Sequence, residues 1–201
     1  MKILALELSS AQGSIALLQA DKIEFSRDWP NDRKNSGPLF EYLAEVQKQF
    51  GNADTIVVGL GPGSYAGTRI AISAAIGLQT ASQARLIGFP SICAIGCDTD
   101  EYCVIGDARR NSFFYARVCD RNLADGPILM SEAELREKLG KIDPKMSMFA
   151  TEKLSQFEGA QLRYPAAKML AQLATNMKRQ FIQPPLEPMY LREPHITIPK
   201  K

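Results

Sequence analysis

The pattern of apolar and polar positions in the first half of the chain predicts strands first and helices afterwards. Three apolar runs of strand length are joined by the tight connections "SSAQG" and "AD", as in consecutive antiparallel hairpins. These runs lie at residues 3–8, 14–19 and 22–27. Apolar residues then return at helical spacing from Pro38 to Phe50, after Ser36 at a capping position and with Pro38 where a missing N–H costs nothing.

A strand, a helix and another strand follow this first helix. The run "DTIVVGL" predicts a buried strand, and a long helix is predicted from Ser64 to about Gln83 before the strand "ARLIGF". Three hairpin strands followed by helix, strand, helix and strand is the order of the ribonuclease H-like half-unit, whose helical crossovers extend a meander in parallel. The first half is therefore predicted to form one such lobe.

The second half repeats this order in reduced form. Strands are predicted at "EYCVIGDA", "SFFYARVCD", "GPILM" and "MSMFA", and a helix at "SEAELREKL", where Ser131 and Glu134 have capping-box spacing. A last helix is predicted to begin at Pro165, and the proline-rich tail is predicted to be extended. The expected fold class is α/β, an actin-like ATPase (ribonuclease H-like) fold with two tandem lobes. The expected boundaries are residues 1–95 and a reduced C-terminal lobe, 96–201, that includes the tail.

Composition and charge narrow the class of function. Of the 201 residues, 45% are hydrophobic, which suffices for a buried core, and 24 Lys and Arg against 22 Asp and Glu give a formal charge of +2. No basic run exceeds a pair, so strong nucleic-acid binding by the isolated chain is not indicated. The opening segment lacks signal-peptide features, and no run approaches the roughly 20 apolar residues of a membrane span. We therefore expect a cytoplasmic protein without membrane attachment.

The cysteines show no metal or disulfide pattern. Cys93, Cys97, Cys103 and Cys119 lack CxxC spacing, and the chain has a single histidine, His195, in the tail. We expect reduced thiols, no metal site and no bound cofactor.

The turn Gly61-Pro62-Gly63-Ser64 is a candidate for chemistry because it leads a strand into a helix, as phosphate-binding turns do. It satisfies the pattern G-x-G-x-x-[GA], but three strands precede it and no acidic residue stands at the ribose position. A Walker A loop would need a lysine here, and a nucleophile elbow would need glycines around Ser64 and a histidine partner. Helix capping by Ser64 explains the turn better than direct catalysis does.

The helix after this turn is apolar or small around much of its circumference, which indicates burial on two faces. Small side chains on a helix allow a second helix to approach closely. Either another part of this chain or a partner protein could cover the second face. The candidate partner interface lies on the first two helices, at Leu39, Tyr42, Leu43, Val46, Gly67, Ile70, Ala71, Ala74, Ala75 and Leu78.

Each lobe's opening strand ends in polar residues, at the place where actin-like ATPases hold phosphate and magnesium. "ELSS" supplies Glu7, Ser9 and Ser10, and "DARR" supplies Asp107. Such sites pair a carboxylate with a Gly-rich hairpin, whereas the first hairpin has only Gly13 and the second has no glycine. These four polar residues therefore form a candidate vestigial nucleotide site.

The stretches "GPGSYAGTRIAISAAIGL", "DARRNSFFYA" and "PMYLRE" together resemble the TsaB family, the non-catalytic subunit of the bacterial tRNA threonylcarbamoyladenosine complex. The resemblance runs from the opening strand to about Arg192. In the family's opening pattern Ile-Asp-Thr-Ser, Glu7 replaces the aspartate and Leu8 the threonine. The usual His-Ser-Glu before the first helix begins here with Asn35.

The resemblance implies that the first two helices pack on the equivalent helices of a catalytic paralogue, TsaD, and that an ATPase, TsaE, joins the assembly. It implies a scaffold subunit rather than an enzyme. The complex transfers a threonylcarbamoyl group to the adenosine beside the anticodon, and tRNA would be contacted only as part of that complex. Without its partner, the chain is expected to form a homodimer.

Two enzymatic alternatives remain at the level of sequence. One is a stand-alone actin-like nucleotide phosphotransferase or hydrolase, with Glu7 and Asp107 around magnesium. The other is a peptidase, for which the chain lacks a histidine pair and a recognisable triad.

Overall fold

The computed structural model describes residues 1–31, 36–176 and 178–192. The expectations at Asn35, at His195 and over the last part of the tail lie outside these ranges.

The first sheet has five strands in the order β3-β2-β1-β4-β5. Its strands are β1 (Lys2–Glu7), β2 (Gln12–Gln19), β3 (Lys22–Pro30), β4 (Thr55–Gly59) and β5 (Arg85–Phe89). The first three are antiparallel neighbours, and β4 and β5 extend the sheet in parallel from β1. This is the predicted ribonuclease H-like order.

Two helices cover one face of this sheet, α1 (Gly37–Phe50) and α2 (Tyr65–Ser82). Alternate residues of the strands, such as Leu4 and Leu6, point toward the helices and form one core with Leu39 and Ala71. The predicted cap at Ser36 is only partly right, because its side chain makes no capping hydrogen bond. We call the first sheet with α1 and α2 the first lobe.

The second sheet repeats the same topology, in the order β8-β7-β6-β9-β10. Its strands are β6 (Glu101–Asp107), β7 (Ser112–Cys119), β8 (Asn122–Ser131), β9 (Ser147–Ala150) and β10 (Gln161–Leu162). One helix, α3 (Glu132–Leu139), packs on this sheet and begins with the predicted capping box of Ser131 and Glu134. The second sheet with α3 is the second lobe, and its two-residue β10 makes it the reduced one.

The last helix, α4 (Ala167–Leu173), packs on the face of the first sheet that α1 and α2 leave open. The N–H of Ala167 donates to Oγ of Ser14, 2.9 Å away in β2. The helix was predicted to begin at Pro165, but that residue forms an isolated bridge with Ile95, which holds the chain extended before the first turn. Residues of both sheets and α4 share one buried cluster, so the two lobes are packed together.

In the described part of the chain, no helix is long and apolar enough to span a bilayer. The predicted fold class is confirmed by the two five-stranded sheets of like topology. The lobe boundary at residues 95 and 96 stays a prediction.

Candidate functional site

The turn between β4 and α2 is fixed by hydrogen bonds within the chain. Oγ of Ser64 accepts a hydrogen bond from the N–H of Gly67 at 3.3 Å, which is the predicted helix cap. The N–H of Ser64 donates to the carbonyl of Ser9 at 2.6 Å. The start of α2 is thus anchored to the loop between β1 and β2.

The glycines of this segment make room for that same loop. A Cβ atom on Gly63 would lie 2.1 Å from the carbonyl oxygen of Ser9, and one on Gly67 would lie 2.0 Å from the carbonyl oxygen of Leu8. Neither contact is possible without a backbone shift. The glycine pattern that suggested phosphate binding is therefore explained by close packing of α2 on the first hairpin.

Glu7 is fully buried behind this turn. Its Oε1 accepts a hydrogen bond from the N–H of Ser9 at 2.6 Å, and its Oε2 fills the space that a side chain on Gly59 would need. Burial raises the pKa of the Glu7 carboxyl, and the hydroxyls of Ser9 and Ser91 oppose this effect only in part. Among the described residues, Oε2 has no hydrogen-bond partner of normal geometry.

A cavity of about 580 Å³ lies between the two lobes. The predicted residues Ser9, Ser10 and Asp107 line it, but Glu7 does not. The prediction that Glu7 belongs to a nucleotide site in the cleft is corrected here, because its carboxyl turns into the protein beneath Gly59.

Asp107 is engaged by its own hairpin. Its Oδ1 accepts a hydrogen bond from the N–H of Arg109 at 2.6 Å, and its Oδ2 pairs with Nη1 of Arg109 at 3.1 Å. Ser10 closes a local turn with Gln12, through hydrogen bonds between its hydroxyl and both backbone groups of that residue. These side chains therefore have local structural roles. In the part of the chain that the structure describes, no three His, Cys, Asp or Glu side chains come together as a metal site.

The C-terminal tail crosses the mouth of the cleft. The N–H of Met189 donates to the carbonyl of Leu60 at 2.7 Å, and the rings of Tyr190 and Tyr65 lie 5.4 Å apart. Nη2 of Arg192 reaches the carbonyl of Arg109 at 3.4 Å. Sequence reasoning placed no site residue in this segment. The only signal for it was the stretch "PMYLRE".

The structure separates the predicted interface residues into two groups. The following residues are buried against the first sheet of this chain: Leu39, Leu43, Val46, Gly67, Ala71 and Ala75. Their assignment to a partner interface is corrected, because other parts of this chain already cover them. Tyr42, Ile70, Ala74 and Leu78 are half-buried at the edge of that core, and their contact with a partner stays a prediction.

A different set of α2 residues is exposed. The buried side of the helix includes Ile72 as well as Ala71. The outer face of α2 is defined by Ser73, Ile76, Gly77 and Thr80, all exposed. Ile76 is 45% exposed, and a Cβ on Gly77 would meet no atom of residues 1–31, 36–176 or 178–192 within 4 Å. On α1, the large side chain of Phe40 is 52% exposed.

The cysteines are all free thiols. Burial raises the pKa of Cys93 to about 12 and that of Cys103 to about 11. Because a thiol must ionise to act as a nucleophile, neither residue suits a cysteine peptidase at neutral pH.

Comparison with solved structures establishes the fold over nearly the whole chain. An uncharacterized protein of Pseudomonas aeruginosa with similarity to peptidase YeaZ has a TM-score of 0.74 and 21% identity, covering 95% of this chain and 99% of its own. YeaZ from the same organism has a TM-score of 0.73 and 20% identity, covering 94% and 99%.

Sequence comparison gives the family. An uncharacterized protein of Mycobacterium tuberculosis is 28% identical over 153 residues, which are 76% of this chain and 70% of the relative. The family model described as TsaD, tRNA N6-adenosine threonylcarbamoyltransferase, matches residues 36–191. Together with the YeaZ-like fold, this match confirms the resemblance found in the sequence. The chain therefore belongs to the TsaD, or tRNA N6-adenosine threonylcarbamoyltransferase, family.

Proposed function

We propose that this chain is a non-catalytic subunit of the TsaB type, which binds a TsaD-like catalytic paralogue through the exposed sides of α1 and α2. The paralogue carries out threonylcarbamoyl transfer to the adenosine beside the tRNA anticodon. In this proposal a TsaE-like ATPase joins the same assembly, and tRNA is contacted by the complex rather than by the chain alone. The isolated chain forms a homodimer through the same helices.

The observation that carries this proposal is the outer face of α2. A glycine inside a helix costs about 1 kcal/mol relative to alanine. Among the residues that the structure describes, Gly77 has no neighbour that would require the missing side chain. Beside it, Ile76 exposes an apolar side chain to solvent. A closely packed partner helix would account for both the small residue and the apolar one.

The state of the interlobe cleft supports a non-catalytic role. The enzymatic alternative assigned magnesium to Glu7 and Asp107, but Glu7 is buried outside the cleft and Asp107 is paired with Arg109. The glycines of the turn are used for packing against Leu8 and Ser9. The two carboxylates expected for phosphate transfer are therefore either outside the cleft, as Glu7 is, or paired within their own hairpin, as Asp107 is.

The test compares two substitutions that each place an arginine on an exposed helix surface. Gly77→Arg alters the outer face of α2, and Ala133→Arg alters α3 in the second lobe. Neither should destabilise the isolated chain, because arginine is a good helix former. We expect Gly77→Arg to weaken binding to the TsaD-like paralogue at least about tenfold, since a charged side chain would be buried at the interface.

Binding is measured by size-exclusion chromatography and titration calorimetry with the purified paralogue, and sedimentation reports the homodimer. Ala133→Arg should behave as the wild type in both. Equal affinity of Gly77→Arg and wild type for the paralogue would refute the proposed interface.

A further inference from the structure

Two exposed tyrosines with tilted rings and an arginine form a cluster at the mouth of the cleft. The Tyr65 ring, at the start of α2, lies 5.4 Å from the ring of Tyr190 in the tail. The guanidinium of Arg69 lies 5.2 Å from the centre of the Tyr65 ring and donates a hydrogen bond to its hydroxyl at 2.7 Å. Tyr65 is 48% exposed and Tyr190 43%. Aromatic rings contribute most when they are buried, so this cluster offers aromatic surface that is open to a ligand.

Three further arginines lie in the hairpin turn and the tail that border this cluster. Arg109 and Arg192 line the same cavity as the two tyrosines, and Arg110 is exposed beside Arg109 in the hairpin turn. We call Tyr65, Tyr190 and the four arginines, including Arg69, the tyrosine–arginine platform.

The acidic groups of the described residues near this platform neutralise only part of its charge. Asp107 pairs with Arg109, Glu152 accepts a hydrogen bond from the N–H of Asp107, and Glu187 lies near Tyr190. The tip of the hairpin and the end of the tail therefore present guanidinium groups beside exposed rings.

We propose that the tyrosine–arginine platform binds an unpaired segment of the tRNA substrate. A base stacks on the exposed ring of Tyr190, and the neighbouring phosphates pair with Arg192 and Arg110. Unpaired RNA is recognised in this manner, by aromatic and guanidinium planes that stack on bases and by cations that contact the backbone. The inference rests on the proposed function, because the complex is what brings tRNA to this chain.

The low net charge of the chain indicates that the platform would bind tRNA within the complex rather than in the isolated chain. A formal charge of +2 provides little general attraction for a polyanion. In the complex, the catalytic partner would supply most of the affinity for tRNA. The platform, with few cations and one exposed ring for stacking, would add a smaller contribution. We therefore expect tRNA binding to the isolated chain to be weak and binding to the complex to depend on the platform.

The experiment uses the reconstituted complex of the full chain with its TsaD-like paralogue and a fluorescently labelled, unmodified tRNA transcript. Tyr190→Ala should weaken tRNA binding about tenfold, as the loss of one base stack predicts, and leave the salt dependence unchanged. Tyr190→Phe keeps the ring and should bind as the wild type does. Arg192→Gln should lower the slope of log affinity against log salt by about 1.

The matched control is Arg163→Gln, which removes the same charge from an exposed position that does not line the cleft. It should leave both the affinity and the salt slope unchanged. Chromatography of every variant with the paralogue checks that the complex is intact, so a failure of the proposed interface is seen separately. Wild-type affinity of Tyr190→Ala for tRNA would overturn the proposal. So would loss of the complex itself in that variant, because the platform would then be a protein contact.

Discussion

Two glycines on α2, ten positions apart, have opposite surroundings. Gly67 faces inward, and a Cβ there would lie 2.0 Å from the carbonyl oxygen of Leu8. Gly77 faces outward, and a Cβ there would meet no atom within 4 Å in the described part of the chain. The inner face of the helix therefore packs closely on the backbone of its own chain, whereas the outer face makes no such contact with the described residues. A small residue on a helix can therefore serve packing within its own chain, as Gly67 does, or lie on an open surface, as Gly77 does. Only the burial of each residue distinguishes the two cases.

The largest effect is expected at the inner face. Gly67→Ala would force the Cβ against the backbone of Leu8, and separating α2 from the first hairpin should lower the free energy of unfolding by about 3 kcal/mol. Urea unfolding of the purified chain measures this change. Gly77→Ala is the matched control and should not destabilise the chain. A Gly67→Ala variant as stable as the wild type would mean that the inner face is loosely packed.

The buried carboxyl of Glu7, behind the turn before α2, should make the stability of the chain depend on pH. Glu7→Gln keeps the acceptor for the N–H of Ser9 and removes the ionisable group. Because burial raises the pKa of Glu7, the folded state holds a proton that the unfolded state has released. Wild-type stability should therefore fall as pH rises above the ordinary value of 4.5, up to the raised pKa of the folded state. Glu7→Gln should not show this loss.

The measurement is the free energy of unfolding of both proteins across that pH range. The variant should be the more stable one at pH 8, and the difference should vanish below pH 4.5. The exposed residue Glu134 provides a contrast of opposite sign. Its hydrogen bonds with Ser131 lower its pKa, so its contribution is present above pH 4.5 and is lost as pH falls. A pH-independent difference between Glu7→Gln and wild type would contradict the assignment of the shift to burial.

A smaller loss of stability is expected from substitutions at the cap of α2. Ser64→Ala removes the acceptor for the N–H of Gly67, which should cost about 1 kcal/mol of stability. Ser64→Asp restores an acceptor at the same place and should recover most of the loss. Thermal unfolding followed by circular dichroism measures both variants. If the aspartate variant is as unstable as the alanine variant, the cap is not the source of the effect.

Local sequence signals predicted the fold well. Strand runs, turn residues and the capping positions at Ser64 and Ser131 are encoded within a few residues, and each was found where expected. The exceptions were the cap at Ser36, whose side chain makes no capping hydrogen bond, and the start of α4. That start depends on an isolated bridge of Pro165 with Ile95 and on a hydrogen bond to Ser14. Contacts between residues so far apart in the chain leave no local pattern.

The site was predicted less well for the same physical reason. Periodicity shows that α2 has two apolar sides, but it does not reveal which side the sheet covers. Ala71 was therefore assigned to a partner although it is fully buried. Glu7 was assigned to the cleft because it ends β1, yet the space beneath Gly59 turns its carboxyl inward. The contact between Tyr190 in the tail and Tyr65 exists only once the chain has folded, so no spacing of residues in the sequence predicts it.

The smallest expected effect concerns the outer face and separates folding from binding. Gly77→Ala should raise the free energy of unfolding of the isolated chain by no more than about 1 kcal/mol, because alanine is the better helix former and its Cβ meets none of the described residues. The same methyl group should weaken binding to the TsaD-like paralogue if a partner helix packs directly on Gly77. Calorimetric titration of the paralogue, together with urea unfolding, measures both quantities on one variant. If the variant is more stable and binds the paralogue more weakly, the partner packs on Gly77. If it is more stable and its affinity is unchanged, the partner packs elsewhere on the exposed sides of α1 and α2.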